Sequence, residues 1–160
     1  MAYSYREESY LRNCANQAQG CAEIIASLKA LAKRIPENGK RFKVGETGPA
    51  RIAVRDGKIR LCAQTWGFGA IDDEIPFIID YKPVIERGVI RDRERLLDYI
   101  GKRVTLWDTY RKQAEQAESR LAEYRAACEE YRAAYDKLAK IAREMPETFV
   151  QYPDFTEIYK

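Results

Sequence analysis

A chain of 160 residues with a net charge of +3, 46% hydrophobic and 33% charged residues suits a folded soluble protein, with more charge than a compact body needs and as much as a long solvated helix would bring. It has no histidine, and its four cysteines (Cys14, Cys21, Cys62 and Cys128) form no Cys-x-x-Cys pair, which argues against a metal site or cofactor and favours reduced thiols buried as small hydrophobes. No apolar run approaches the roughly 20 residues of a membrane span, and Met1-Ala2-Tyr3-Ser4-Tyr5-Arg6 lacks the apolar core of a signal peptide, so a cytoplasmic protein without membrane contact is expected.

Ser4 followed by Glu7 forms a capping box that starts a helix over residues 4–36. Its apolar seam runs Leu11, Cys14, Ala18, Cys21, Ile25, Leu28, Ala32, Ile35, until Pro36 and Asn38-Gly39 end it. Gly20 beside this seam leaves a narrow flank for a neighbouring helix.

From residue 40 to 82 the period changes from helical to alternating. Two alternating runs, 50–55 and 58–63, flank Asp56-Gly57, which supplies the positive φ angles of a type I′ turn and so predicts a hairpin. A two-residue loop pairs Arg55 with Lys58, Val54 with Ile59, Ala53 with Arg60 and Ile52 with Leu61. One face then holds Ile52, Val54, Ile59 and Leu61, and the other Arg51, Arg55, Lys58 and Arg60. Arg41-Phe42-Lys43-Val44 reads as a third strand, and residues 75–81 as a fourth, with Pro76 at an edge or a strand start. Between them, Trp66-Gly67-Phe68-Gly69 reads as an aromatic loop and Asp72-Asp73-Glu74 as a solvated acidic turn.

Asp92 is an N-cap for a long helix over residues 92–145, with Gly101 marking a bend or a break. Steps of three and four give Leu96, Ile100, Arg103, Trp107, Tyr110, Ala114, Ala117, Leu121, Tyr124, Cys128, Tyr131, Tyr135, Leu138, Ala142 and Met145, a coiled-coil pattern broken only at Arg103. The tail, residues 146–160, carries Phe149, Tyr152, Phe155, Ile158 and Tyr159 and is expected to be extended and docked.

The architecture that follows is α+β. Two long antiparallel helices form a coiled-coil-like hairpin, with an antiparallel sheet of three or four strands inserted between them, in a single domain over 1–160. Helix, β-hairpin, helix is also the layout of prefoldin-like chaperones, which the chain resembles in that order of elements and in no motif. At 1.5 Å per residue the long helix spans roughly 75 Å and the first, over its seam, about 37 Å. The first helix therefore covers Leu96 to Ala117 and leaves Leu121 to Met145 without cover. Leu121, Tyr124, Tyr131, Tyr135 and Leu138 are the residues expected to self-associate, as a homodimer, or to dock into a partner.

The hairpin carries the second functional pattern. From Lys33 to Arg60 nine basic residues face three acids, a net +6. Arg41, Lys43, Arg51, Arg55, Lys58 and Arg60 are candidates for contact with an acidic protein, a nucleoprotein or nucleic acid, with Trp66 and Phe68 as aromatic contacts. The competing reading is a solvated outer face neutralised by Asp72, Asp73 and Glu74. No histidine accompanies a serine or cysteine nucleophile, and no Gly-Lys-Ser/Thr ending follows the glycines, so no enzyme is expected. A carboxylate chemistry at residues 72–74 is the remote rival. The expected function is a non-enzymatic protein–protein interaction module, an adaptor or steric inhibitor of the kind mobile elements and phages turn against host complexes. The alternative is nucleic-acid binding by the basic hairpin face.

Overall fold

The computed structural model describes residues 2–65 and 69–145. It is mixed helix and antiparallel sheet, in the order α1 (Tyr5–Arg34), β1 (Arg51–Arg55), β2 (Lys58–Thr65), β3 (Gly69–Pro76), β4 (Ile78–Ile79), β5 (Lys82–Pro83), β6 (Ile85–Glu86), β7 (Val89–Ile90), α2 (Arg93–Glu115) and α3 (Ala117–Glu144). Contacts divide the chain into two units, Met1–Arg120 and Leu121–Lys160.

In the first unit, α1 opens on the expected capping box: Ser4 Oγ accepts from the Glu7 N–H, and the Glu7 carboxylate accepts from the Ser4 N–H at 2.7 Å. Its buried face is wider than the seam and includes Gly20, Ile24, Ser27 and Leu31 beside Cys21, Ile25 and Leu28. α1 and α2 pack side by side in opposite directions. Arg93 at the start of α2 donates through Nε to the Ile35 carbonyl at the end of α1, and its N–H is held by Asn38 Oδ1. Arg111, far along α2, lies within electrostatic reach of Cys21 in the middle of α1. Asp92 caps α2 by accepting from the Arg95 N–H. The helix runs through Gly101 unbroken, and the interruption falls instead at Gln116, whose N–H is shared between the Lys112 and Gln113 carbonyls.

β1 and β2 pair in the register that the Asp56-Gly57 turn dictates, Arg55 with Lys58 through Arg51 with Cys62. Both turn residues have positive φ, 54° and 71°. The third strand, however, is β3, paired with β2 so that Ile59 faces Ile75, Arg60 faces Glu74 and Cys62 faces Asp72. Asp72, Asp73 and Glu74 are therefore strand residues and not a solvated turn. Their alternation sends Asp73 inward with Ile71 and Ile75, and Asp72 and Glu74 outward. Residues 75–81 do not form one strand: β3 ends at Pro76, and Asp80 and Tyr81, both at positive φ, turn β4 back onto β5. A second small hairpin, β6 with β7, turns at Arg87-Gly88.

Residues 41–44 do not join the sheet either. Arg41 makes one bridge to Val89 and the Phe42 N–H donates to the Gly88 carbonyl, which ties the segment to the β6–β7 hairpin. Beyond it the chain is drawn onto α1: the Ala50 N–H is held by the buried Ser27 Oγ at 2.9 Å, and Gly48, at φ +78°, passes so close that a Cβ would lie 2.8 Å from the Ser27 Cα. The core closes where Ile24, Leu28 and Leu31 of α1 meet Ile59, Leu61 and Ile75 of the sheet, Val84 and Ile90 of the hairpins, and Leu96 and Ile100 of α2. Among the described residues no helix is long and apolar enough to cross a membrane.

The described part of the second unit is helical from Leu121 to Glu144.

Candidate interaction surfaces

Three places hold the residues to which the sequence draws attention. The first is the apolar face of α3. Leu96 and Ile100, at the start of the same sequence seam, are buried, as are Ala114 and Ala117. Further along, Leu121 is half-buried, and then Tyr124 is 68%, Tyr131 74%, Tyr135 62% and Leu138 58% exposed. These side chains share one stripe because they recur at three- and four-residue steps on an uninterrupted helix. Cys128, on the same stripe, is exposed, Cys14 and Cys62 are half-buried, and only Cys21 is fully buried; all four thiols are free. The expectation of buried thiols thus holds for Cys21 alone. Burial raises its pKa above the ordinary thiol value, and the Tyr124 hydroxyl is raised by its hydrogen bond with Cys128.

The second place is the outer face of the sheet. Arg51 and Arg55 of β1 and Lys58 and Arg60 of β2 do share it, as the hairpin register requires. Glu74 stands across from Arg60 and pairs with both Lys58 (3.1 Å) and Arg60 (3.5 Å), while Asp56 lies 3.7 Å from Arg55 and 4.0 Å from Arg60. Asp72 hydrogen-bonds the Cys62 thiol and raises its pKa. The face is thus a mixed lattice with a small positive excess and not a continuous basic field, because β3 brings its outward carboxylates alongside β2. Arg41 and Lys43 are not on this face; they belong to the segment bonded to the β6–β7 hairpin. Trp66 and Phe68 lie outside the described residues.

The third place was hidden in the sequence. Asp73 is only 5% exposed, and its carboxylate accepts four hydrogen bonds: from Arg103 Nη2 (2.7 Å) and Nε (3.1 Å), from Trp107 Nε1 (2.7 Å) and from the Glu74 N–H (2.9 Å). A bidentate guanidinium and two further donors fill the four lone-pair positions of a carboxylate. Donating to Asp73 raises the Arg103 pKa, so the guanidinium stays charged. Tyr99 adds a bond from its hydroxyl to the Glu74 carbonyl, and Trp107 stacks edge-on against Tyr110 at 5.6 Å. Arg103, the one exception in the long helical seam, is the residue that neutralises the buried carboxylate. Every acceptor of this cluster is occupied from within the chain, which makes it a clamp between sheet and α2. Among the described residues no three His, Cys, Asp or Glu side chains are placed to hold a metal ion.

No family model, curated protein or solved structure matches the chain.

Proposed function

We propose that the protein is a non-enzymatic protein–protein interaction module that self-associates, as a homodimer, by coiled-coil packing of the apolar face of α3. The observation that carries this reading is the row of exposed Tyr124, Tyr131, Tyr135 and Leu138, on a sequence seam whose earlier members Leu96, Ile100, Ala114 and Ala117 are buried. Scattered exposed apolar side chains are ordinary, but four large ones on a single stripe mark a contact surface. From Leu121 to Met145 the stripe is roughly 37 Å long, somewhat over three heptads. That length suits association in the micromolar range. Such a module works by placing or obstructing what it binds, as an adaptor or a steric inhibitor, and no chemical step is assigned to it.

The second reading is nucleic-acid binding by Arg51, Arg55, Lys58 and Arg60. The sharing of Glu74 between Lys58 and Arg60 favours a protein partner, because a carboxylate inside the face repels a phosphate backbone. One purification separates the two. A dimer in sedimentation equilibrium, with a 260/280 nm absorbance ratio of pure protein, supports the assembly reading. Copurifying nucleic acid that salt removes supports the other.

A further inference from the structure

We propose that the free edge of β1 is a strand-addition site for an extended segment of a partner protein in which apolar and acidic residues alternate. The site lies in the first unit and stands independently of self-association through α3.

The two edges of the three-stranded sheet are finished differently. In a two-residue hairpin the residues flanking the turn exchange both main-chain bonds, so Arg51, Ala53 and Arg55 direct their N–H and C=O groups to β2, and Ile52 and Val54 direct theirs outward. Among the described residues neither Ile52 nor Val54 makes a main-chain bond on that side. On the opposite edge, β3 is closed at its end over Glu74 and Pro76. Pro76 has no N–H to give, the Glu74 N–H is taken by the Asp73 carboxylate at 2.9 Å, and the Glu74 carbonyl is taken by the Tyr99 hydroxyl at 3.2 Å. Sheet proteins blunt edges in this way to prevent unwanted pairing. Only one edge of this sheet is so treated.

The side chains around β1 define what would fit. A strand added there alternates its residues between the two faces of the sheet. On the inner face it meets Val54, which is 53% exposed although it lies on the apolar side, and a hollow of about 270 Å³ walled by Phe42, Val44, Phe77 and Ile85. That is below the roughly 300–1,000 Å³ of small-molecule sites and suits one or two side chains. On the outer face the strand meets Arg51, which has no ion pair among the described residues, and Arg55, whose only one is with its neighbour Asp56. Lys43 at the rim of the hollow has none either. Apolar residues inward and acidic residues outward complement both surfaces. The same charges argue against a second β1 as the occupant, since antiparallel self-pairing over the whole strand would set Arg51 against the copy's Arg55 and Arg55 against its Arg51.

Fluorescence anisotropy of the full chain with a labelled eight-residue peptide alternating Val and Glu tests this. Saturable binding that weakens with salt and is lost when Lys replaces Glu is expected. Val54→Pro removes one outward N–H and leaves the bonds of Ala53 and Arg55 to β2 intact, so it should weaken binding about tenfold with an unchanged circular dichroism spectrum. If that variant misfolds, N-methylation of alternate peptide amides gives the same reading from the ligand's side, again with a loss of about tenfold or more. Equal binding of the methylated peptide, equal binding of a Glu-Pro repeat that cannot pair as a strand, or no saturable binding of the Val-Glu peptide would overturn the proposal.

Discussion

Replacing Asp73 with Ala should lower folding stability by about 2–4 kcal/mol, read as a shift of the urea midpoint. The loss comes from what remains behind. Arg103 keeps its charge with no carboxylate to neutralise it, the Trp107 Nε1–H loses its acceptor, and the Glu74 N–H loses its own. Arg103 retains 29% side-chain exposure, so water can reach part of the guanidinium, which holds the cost toward the lower half of the range seen for buried pairs. Replacing the pair together, Asp73→Leu with Arg103→Met, should recover the part of the loss that comes from the orphaned charge, while the Trp107 and Glu74 donors stay without their acceptor. Asp72→Ala on the outer face should change stability by no more than about 0.5 kcal/mol. Equal effects at Asp72 and Asp73 would contradict the inward placement of Asp73.

Tyr131→Asp combined with Leu138→Asp should abolish self-association while leaving the rest of the fold intact. Both side chains are exposed in the single chain, so their replacement removes little packing from it. In an assembled α3 pair each is buried, and burying a large apolar side chain is worth about 1.5–3 kcal/mol. Two lost sites therefore weaken association by at least about 3 kcal/mol, more than a hundredfold, before the cost of burying carboxylates is added. Leu28→Ala makes the opposite control. Leu28 is fully buried against the sheet, so its truncation should cost about 2–5 kcal/mol of stability and leave the α3 stripe unchanged. If the double Asp variant keeps the native mass, the α3 stripe is not the interface.

What could be read from the residues alone was what local chemistry decides. The Ser4–Glu7 box, the Asp92 cap and the Asp56-Gly57 turn each depend on a handful of neighbours, and the turn in turn decides which side chains share a face. The exposed length of the helical stripe was also legible, because it needs only a comparison of two helix lengths. Contacts set by distant partners were not. Asp73 looks like part of an acidic turn until Arg103, thirty residues on, and Trp107 are brought to it; the single break in the seam was the trace of that contact, read without its counterpart. The alternation of residues 41–44 is real, but the chain is drawn away to Gly88 and Ser27, and this leaves β1 as an open edge. Asp80 and Tyr81 turn without a glycine, and although Asp tolerates positive φ, nothing in Tyr81 announced it. Gln116 gave no breaker signal, whereas Gly101, which did, lies inside a continuous helix.

The claim that a second copy covers the outer stripe is tested most directly at Cys128, which sits on the stripe and is exposed in a single chain. Its alkylation rate in the native protein can be followed by mass spectrometry across a dilution series through the micromolar range. Cys21, buried in the first unit, serves as the internal standard of folding. Self-association through α3 predicts that Cys128 becomes protected as concentration rises, in step with the increase in mass, while Cys21 stays protected throughout. A Cys128 that reacts at one constant rate at every concentration, in a protein whose Cys21 remains protected, would contradict it.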